Sequence, residues 1–551
     1  MIFSNKDKFT TPPPVWAWAL AILIPLASYL VGLNYNQIPT IGDEGVYIQM
    51  SRATSETGRW LPLVWDQGVF NTKPPLLFWQ GMVTADFESS PSLWSLRWPS
   101  VIYSFLSALL IFWLVFRHTN ELWRGFLSGV IFLSFISTYK HGRPFLMQSA
   151  EMFLVFFPTA LYLLRRKLDF IWTLSAAIAL GLAALYKSFF LIAVGALAAA
   201  VVIFHQNRWN KKWFTSNALP QGVAVVSGAL ALFSVWLMVD PDPKGVLAEF
   251  FMKENAGKFQ AHQFWSGFFS GPYNVFRIWL GAFANAGFLA LPLLGLVIFT
   301  VKNLRRLSRL EVSLWLFVFT VLAIYTLPTQ RQENYILPAM LPVALLLGLR
   351  WQSISYFWFR ASFLLITIFS ALAFYVVHGI NNSLHSALFA WPLTTTLATT
   401  AVLGLSGLFL KRDLRSALPF ATLLFLMGVS LFGAPFSAPY DPAVQNQLKD
   451  KEVFFPSTFN ADYEYYFFKA PGARVKGYRS QPGQSLKDVG RELIMQGRVV
   501  AFREDLVDEN PGTVIAKTPY LKQRLKENEI SEILYHGKFE NLVGHLTIRK
   551  K

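Results

Sequence analysis

The sequence predicts an all-α polytopic membrane bundle of about thirteen transmembrane helices, followed by a small C-terminal α/β domain. Of the 551 residues, 54% are hydrophobic and only 15% are charged, whereas soluble domains carry roughly 25% charged residues. The apolar residues form blocks of about 17–25, long enough to cross ~30 Å of hydrocarbon. These blocks end near residue 435, where charged residues become dense.

The first apolar block, near 15–33, follows Lys6, Lys8 and three prolines. No cleavage pattern of small residues follows it, so we interpret it as a retained span and not as a signal peptide. Twelve further blocks complete the count, and they lie near 97–116, 124–139, 146–164, 170–186, 189–205, 220–239, 274–301, 312–328, 333–349, 360–378, 386–410 and 416–434.

Basic residues indicate which connections face the cytoplasm, because lysine and arginine accumulate on that side. With a cytoplasmic N-terminus, seventeen basic residues fall in cytoplasmic connections and four in the short connections opposite. An odd number of spans then places the C-terminal domain outside the cell membrane. The net charge of +17 therefore reflects the basic residues in the cytoplasmic connections and does not indicate a nucleic-acid partner.

Two outer loops are long, at 34–96 and 240–273, and loops beyond ~15 residues usually carry function. The transmembrane part is predicted to cover 1–434 and the α/β domain 435–551. Cysteine is absent, which excludes thiol nucleophiles, disulfides and Cys-ligated metals. Within the C-terminal domain the pattern predicts strands and helices, namely strands over 453–455, 499–502 and 513–516 and helices over 485–496 and 520–528.

The first outer loop carries the pair Asp43 and Glu44 at the start of a predicted helix that runs to about Thr57. The helix dipole stabilises an ionised Asp43 at that position. Such a carboxylate can ligate a cation or accept a hydroxyl proton. A helix cap is the alternative interpretation.

Lys73 precedes Pro74 and Pro75, which start the next apolar segment. A lysine held at the membrane boundary suits a lipid phosphate. The alternative is interfacial snorkelling, in which the ammonium group simply reaches water.

Four more ionisable residues lie at the outer ends of predicted spans: Arg143, Glu151, Lys187 and Arg331. Ionisable groups at membrane depth are costly, so each is a functional candidate. Glu151 and Lys187 are also candidates for a structural ion pair with each other. The carboxylates, lysines and arginines together indicate an outward site for a molecule with a phosphate and a long apolar tail.

The second outer loop contains His262. Metal binding there requires carboxylates nearby, such as Asp43. A polar loop histidine without a metal is the alternative.

These residues carry a family resemblance. The first outer loop, with Asp43-Glu44, Tyr47, Arg52 and Lys73-Pro74-Pro75, resembles that of the bacterial lipid A aminoarabinose transferases. Those proteins belong to the GT-C superfamily of membrane glycosyltransferases, which also contains the protein O-mannosyltransferases. The resemblance covers roughly residues 40–345, and its further motifs are Gly142-Arg143, Glu151-Met152, Lys187, Glu254-Asn255 and Tyr335-x-Leu337-Pro338.

The resemblance implies a thirteen-span GT-C fold with outer-surface juxtamembrane helices and a periplasmic C-terminal domain, in the bacterial inner membrane. It also implies transfer of a sugar from a polyprenyl-phosphate donor to a lipid or glycan acceptor, such as lipid A of lipopolysaccharide. By similarity, the expected site residues fall into three groups: catalytic Asp43, Glu44 and Glu151; phosphate-binding Lys73, Arg143, Lys187 and Arg331; and substrate-binding Tyr47, Arg52 and Tyr335.

The sequence departs from the family pattern at two positions. Val46 replaces the arginine that follows the acidic pair, and Thr72 replaces a carboxylate that the family links to metal binding. We expect inversion at the anomeric carbon, a possible divalent metal at Asp43 and His262, no organic cofactor and a monomer. Three alternatives stay open: a protein O-mannosyltransferase-like activity, a transporter or flippase of a lipid-linked sugar, and an inert scaffold. The sugar and the acceptor are not determined by the sequence.

Overall fold

The computed structural model describes residues 14–35, 43–85, 87, 92–258, 265, 267–410, 413–457, 461–504, 511–522, 525 and 527–551. Within these ranges, six helices are long and apolar enough to cross a membrane, or seven if one bent pair forms a single span. The protein is therefore a multi-pass membrane protein. The count of thirteen spans stays a prediction, as does the boundary at residue 434.

Each predicted apolar block coincides with helical structure, and the predicted helix after Asp43 is confirmed. The longer helices of the membrane part are α1 (Val15–Leu30), α2 (Asp43–Glu56), α3 (Leu76–Thr84), α4 (Leu93–Thr119), α5 (Leu122–Leu133), α6 (Ile136–Gly142), α7 (Gln148–Arg165), α8 (Phe170–Tyr186), α9 (Phe190–Gln206), α10 (Leu219–Val239), α11 (Ala290–Lys302), α12 (Arg309–Thr326), α13 (Leu337–Arg350), α14 (Tyr356–Ser383), α15 (Trp391–Phe409) and α16 (Leu418–Leu431).

Helix α13 lies at the centre of the bundle, where every one of its residues is buried. It packs against α4, α5, α7 and α12. A helix that is apolar on all sides belongs in such an interior position, because it has no face suited to water. The block predicted as a single span over 124–139 is instead two helices, α5 and α6, which meet at an angle of 67°.

The C-terminal region, residues 435–551, contains a five-stranded mixed sheet with the order β4-β3-β5-β7-β6. β3 is parallel to β4 and β5, whereas β7 is antiparallel to β5 and β6. A two-stranded hairpin, β1 with β2, lies in the first long loop. The strands and remaining helices are β1 (Val64–Trp65), β2 (Gly68–Val69), α17 (Pro442–Leu448), β3 (Glu452–Pro456), β4 (Arg474–Tyr478), α18 (Leu486–Met495), β5 (Val499–Glu504), β6 (Thr513–Leu521), α19 (Glu527–His536) and β7 (Val543–Lys550).

The prediction of a helix over 520–528 is wrong in its position. Tyr520 and Leu521 belong to β6, where they pair with Gly544 and Val543 of β7, and α19 begins only at Glu527. Pairing along the full length of β7 overrides the local pattern, because β-structure depends on its cross-strand partners. β4 and β7 were not predicted.

A buried ion pair joins α12 to α13 at the end of the bundle away from the sheet. The guanidinium of Arg350 donates to both carboxylate oxygens of Glu311, from Nε at 2.5 Å and from Nη2 at 2.8 Å. Glu311 also completes a capping box with Ser308 at the start of α12. A carboxylate with all these bonds fixes the relative position of the two helices.

We predict that Glu311→Gln strongly destabilises the protein, since it removes the carboxylate partner of a buried guanidinium. Breaking one side of a buried pair costs roughly 3–5 kcal/mol. Thermal unfolding in detergent measures the change. Glu56→Gln is the matched control, because it breaks the exposed pair with Arg52 and should cost no more than about 1 kcal/mol. Equal melting temperatures for the two variants would contradict the prediction.

Candidate active site

Segments far apart in the chain bring charged and tyrosine side chains together at the end of the bundle that carries the C-terminal region. Asp43 and Tyr47 come from α2, and Lys73 lies in the turn before α3. Glu151 lies in the first turn of α7, and Lys187 directly follows α8. Each of these groups lies on or directly beside a helix, and their membership of one functional site stays a prediction.

A first ion pair joins Lys73 to Glu254, with 2.5 Å between Nζ and Oε1. Glu254 lies in a π-helical segment, Leu247–Asn255, of the second long loop. Both side chains are partly exposed, so the pair is accessible from outside the bundle. The sequence pattern marked Glu254 only as part of a motif and gave it no role, because nothing local indicates a partner 181 residues away.

A second ion pair joins Lys187 to Glu151, with 2.6 Å between Nζ and Oε2. The Glu151 side chain is fully buried. The ammonium group of Lys187 also lies 5.3 Å from the ring centre of Tyr335, a cation–π distance. The predicted pairing of these two residues is thus present, and it lies beside a tyrosine expected to bind substrate.

The two ion pairs are linked through their sequence neighbours. The hydroxyl of Ser188, next to Lys187, donates to Oδ1 of Asn255, next to Glu254, at 2.7 Å. Asn255 in turn donates to the backbone carbonyl of Phe250 at 2.7 Å. The second long loop is therefore fixed against the end of α8, and this contact holds both pairs in one cluster.

Asp43 is exposed at the first position of α2. One turn further along, Tyr47 is buried, and its ring packs edge-on against Phe78. Burial raises the pKa of Tyr47 well above its ordinary value, and the negative charges of Asp43 and Glu254 raise it further. The Tyr47 hydroxyl therefore stays protonated at neutral pH and can donate a hydrogen bond to a bound group.

Arg331 lies at the edge of this cluster in the connection between α12 and α13. Its guanidinium donates to the backbone carbonyls of Thr326 at 2.9 Å and Tyr273 at 3.3 Å, and it stacks on the ring of Phe268 at 4.8 Å. The side chain is buried. Its bonds attach the second long loop to the bundle.

Glu44 was expected to be catalytic, but the structure places it in the interior. Arg97 of α4 donates to both of its oxygens, at 2.7 and 2.8 Å. The backbone N–H of Phe145 and the hydroxyl of Tyr465 donate to it as well, each at 2.7 Å. A buried carboxylate with four donors holds structure in place, so Glu44 positions its neighbour Asp43.

Arg52 was expected to bind substrate, but it pairs with the C-terminal region. Its Nη2 lies 2.9 Å from Oε1 of Glu464, and its Nε donates to the other oxygen at 3.1 Å. Glu464 is fully buried and also accepts a hydrogen bond from Gln49 at 3.2 Å. The consecutive residues Glu464 and Tyr465 thus clamp α2 at two points, at Arg52 in its second half and at Glu44 in its first turn.

Arg143 was expected to bind the donor phosphate, but its guanidinium is fully buried and points into the bundle. It donates to the backbone carbonyl of Tyr29 at 3.0 Å and to the hydroxyl of Tyr139 at 2.8 Å. It also bonds to Ser430 and to the carbonyl of Val31. These bonds fasten α6 to α1 and α16, and a phosphate would have to break them.

The metal prediction rests on Asp43 and His262, and His262 lies outside the described residues. Among the residues that are described, no three histidine, aspartate or glutamate side chains form a group suited to a metal ion. Two described carboxylates of the site, Glu254 and Glu151, are paired with lysines.

Comparison with known proteins adds three kinds of likeness. The family model for dolichyl-phosphate-mannose-protein mannosyltransferase matches residues 43–240. An undecaprenyl phosphate-alpha-4-amino-4-deoxy-L-arabinose arabinosyl transferase of Pseudomonas savastanoi pv. phaseolicola is 26% identical over 338 residues, 60% of each chain. A second such transferase, from Pseudomonas fluorescens, is 24% identical over 343 residues, 60% of this chain and 59% of that one. The chain thus matches about 60% of the length of these relatives.

The fold is shared with solved structures of ArnT from Cupriavidus metallidurans. The undecaprenyl phosphate-bound form aligns with a TM-score of 0.63 and 16% identity, covering 97% of this chain and 98% of that one. The apo form aligns with a TM-score of 0.62 and 15% identity, covering 88% and 92%.

The chain therefore shares its fold with ArnT and resembles the arabinosyl transferases and the mannosyltransferase family over parts of its length. The resemblance to the lipid A aminoarabinose transferases, first seen in the motifs of the outer loop, is confirmed by these matches.

We predict that Tyr465→Phe loosens α2, because it removes a hydrogen bond to the buried Glu44 carboxylate. A bond to a charged group contributes about 1.5–3 kcal/mol, so local opening of α2 should become roughly ten- to hundredfold more frequent. Hydrogen–deuterium exchange of the α2 amides measures this.

Tyr478→Phe is the matched control for that experiment. It removes a buried tyrosine bond of the same length, 2.7 Å to the carbonyl of Ala501, entirely within the C-terminal region. Exchange of α2 should stay unchanged in this variant. Equal effects of the two substitutions on α2 would show that Tyr465 acts only through the stability of its own region.

Proposed function

We propose that this protein transfers a sugar from a polyprenyl-phosphate donor to a lipid or glycan acceptor at the outer face of the plasma membrane. One observation carries the proposal: two lysine–carboxylate pairs, Lys73 with Glu254 and Lys187 with Glu151, meet next to the exposed Asp43. The relatives, which are named undecaprenyl phosphate-alpha-4-amino-4-deoxy-L-arabinose arabinosyl transferases, support the donor class. The undecaprenyl phosphate bound to a protein of the same fold supports it as well.

The two lysines, Lys73 and Lys187, provide positive charge that stabilises the departing phosphate. When the bond between the anomeric carbon and the phosphate oxygen breaks, the electron pair stays on the phosphate. Preorganised cations stabilise such developing charge, which is often the largest catalytic contribution. Lys73 is partly exposed and paired with an equally accessible carboxylate, so it can turn from Glu254 to a phosphate oxygen. Lys187 is held by the buried Glu151 and provides a fixed positive charge.

Asp43 acts on the acceptor in this scheme. It accepts the proton of the acceptor hydroxyl while the hydroxyl oxygen bonds to the anomeric carbon, and general bases of this kind contribute about 10²–10⁴-fold. A single displacement of this type inverts the anomeric configuration. Tyr47 and Tyr335 line the space between Asp43 and the lysines and offer hydroxyl groups to the sugar. Glu151 orients Lys187 and does not touch the acceptor.

We infer that the protein lies in a bacterial inner membrane with thirteen spans and a cytoplasmic N-terminus. The C-terminal α/β domain then lies in the periplasm. The positive-inside distribution of the connections supports it. A monomer suffices, because every residue of the proposed site comes from one chain. The divalent metal at Asp43 and His262 stays a prediction, and the mechanism above uses only the chain's own groups.

A polypeptide acceptor is the second candidate. The mannosyltransferase family model matches residues 43–240, which contain Asp43, Lys73 and Lys187. Both candidate functions use the same kind of donor. They differ in whether the acceptor hydroxyl that reaches Asp43 belongs to a lipid or glycan or to a polypeptide. Mass spectrometry of envelope glycolipids and glycoproteins from cells with and without the gene distinguishes them.

We predict that Asp43→Asn lowers sugar transfer by about 10²–10⁴-fold, because the amide cannot take the acceptor proton. Transfer from a polyprenyl-phosphate sugar in proteoliposomes measures it. Asp441→Asn is the matched control, since Asp441 is likewise an exposed aspartate at a helix N-terminus. If Asp43→Asn transfers as well as this control, the catalytic assignment fails.

We predict that Lys73→Met lowers transfer by about 10²–10³-fold, the usual cost of removing one group that stabilises developing charge. It should also weaken binding of undecaprenyl phosphate, because the ammonium contacts the donor before the reaction. Lys244→Met, at an exposed lysine in the second long loop, should leave both quantities unchanged. Unaltered lipid binding by Lys73→Met would place the phosphate elsewhere.

A further inference from the structure

The helix α19 has an apolar stripe that faces away from its own protein. Ile530 and Leu534, one turn apart, are both exposed, and Leu534 is 73% exposed. Tyr535, which follows Leu534 in the sequence but lies outside this stripe, is 80% exposed. A surface helix in water normally turns such residues toward the core and its charges toward solvent.

Two of the three acidic residues of α19, Glu529 and Glu532, are paired with residues of their own region. Glu529 accepts a hydrogen bond from Lys522 at 2.8 Å, in a pair whose side chains are almost fully buried. Glu532 accepts from Lys538 at 3.3 Å and from Asn541 at 3.0 Å. These two pairs compensate Glu529 and Glu532 within the C-terminal region, whereas Ile530 and Leu534 are exposed on the outer surface, as is Glu527 at the start of the helix.

The chain just after α19 rests on the end of the transmembrane helix α14. Phe539 packs edge-on against Tyr375, with ring centres 5.4 Å apart, and over Gly379. The hydroxyl of Ser383, the last residue of α14, donates to the carbonyl of Gly537 at 3.5 Å. α19 is therefore attached to the part of α14 that emerges from the bundle.

The level of this attachment corresponds to the membrane surface. Tyr375 lies 19 residues after the start of α14 at Tyr356, a distance of about 29 Å along a helix, close to the ~30 Å of hydrocarbon. Exposed tyrosines concentrate at this boundary. Large apolar side chains are exposed along α14 up to this level, and they are Phe357, Leu364, Leu365, Ile368, Phe369, Leu372, Phe374 and Tyr375.

We propose that α19 is an interfacial helix that inserts Ile530 and Leu534 into the leaflet on the sheet side of the membrane. Its stripe continues the lipid-facing surface of α14 beyond the end of the span. Amphipathic helices of this kind lie in the interface plane with the apolar face ~5–10 Å deep. Insertion anchors the C-terminal region to the bilayer next to α14 and thereby steadies the clamp that Glu464 and Tyr465 form on α2.

The natural absence of cysteine permits single-site labelling of the full-length protein. Ile530→Cys and Leu534→Cys would carry a nitroxide in nanodiscs of phosphatidylethanolamine and phosphatidylglycerol. Power-saturation electron paramagnetic resonance then compares collisions with oxygen, which concentrates in hydrocarbon, and with a water-soluble nickel chelate. We expect an oxygen-to-nickel collision ratio several-fold higher at both positions than at the control Asn528→Cys, an exposed site on the opposite side of α19.

Two reference sites calibrate the scale: Leu372→Cys on the lipid-facing side of α14, and Met495→Cys on α18, both exposed in the structure. Ratios at 530 and 534 equal to those at 495 would place α19 in water and overturn the proposal. Labels shielded from both reagents would show that a second copy or another protein covers the stripe, which would also overturn it. Failure of sugar transfer has no bearing on this readout, so the two proposals are tested separately.

Discussion

The buried carboxylate of Glu44 is the constraint on which the arrangement of the site depends. Its charge is removed from water, which is tolerated only when hydrogen-bond partners satisfy it completely. Arg97, Phe145 and Tyr465 together provide four donors. They come from α4, from the connection to α7 and from the C-terminal region, so one side chain fixes three parts of the protein around the first turn of α2. Asp43, the adjacent residue, is thereby held at the surface.

In the neighbouring cluster, opposite charges also compensate each other in pairs, but these pairs differ in how far they are buried. Lys73 and Lys187 lie near one another, and each is compensated by its own carboxylate. The Glu151 carboxylate is fully buried, whereas the Glu254 carboxylate is partly open to solvent. In the proposed reaction, the donor phosphate therefore meets one lysine that stays with a buried carboxylate and one lysine that can exchange partners.

Much of the framework was predictable because it depends on local sequence. The start of α2 at Asp43 followed from the pattern of its residues, and the pairing of Glu151 with Lys187 was one of two interpretations of isolated charges in apolar surroundings. The roles of Arg52 and Arg143 were not predictable. Glu464 is 412 residues from Arg52, and Ser430 is 287 residues from Arg143. Family resemblance marked these arginines as important but could not distinguish substrate contacts from contacts that fasten helices.

The amino-acid sequence alone determined that the protein is a multi-pass membrane protein and where its apolar helices lie, and it singled out several of the charged residues in the proposed site. Those properties follow from hydrophobicity, helix periodicity and the cost of charge near lipid, all of which act over a few turns of chain. Only the tertiary structure decided which charges are satisfied inside the protein and which stay available. That distinction depends on partners brought together by packing, as with β7 in the sheet, Tyr465 above Glu44 and the outward stripe of α19.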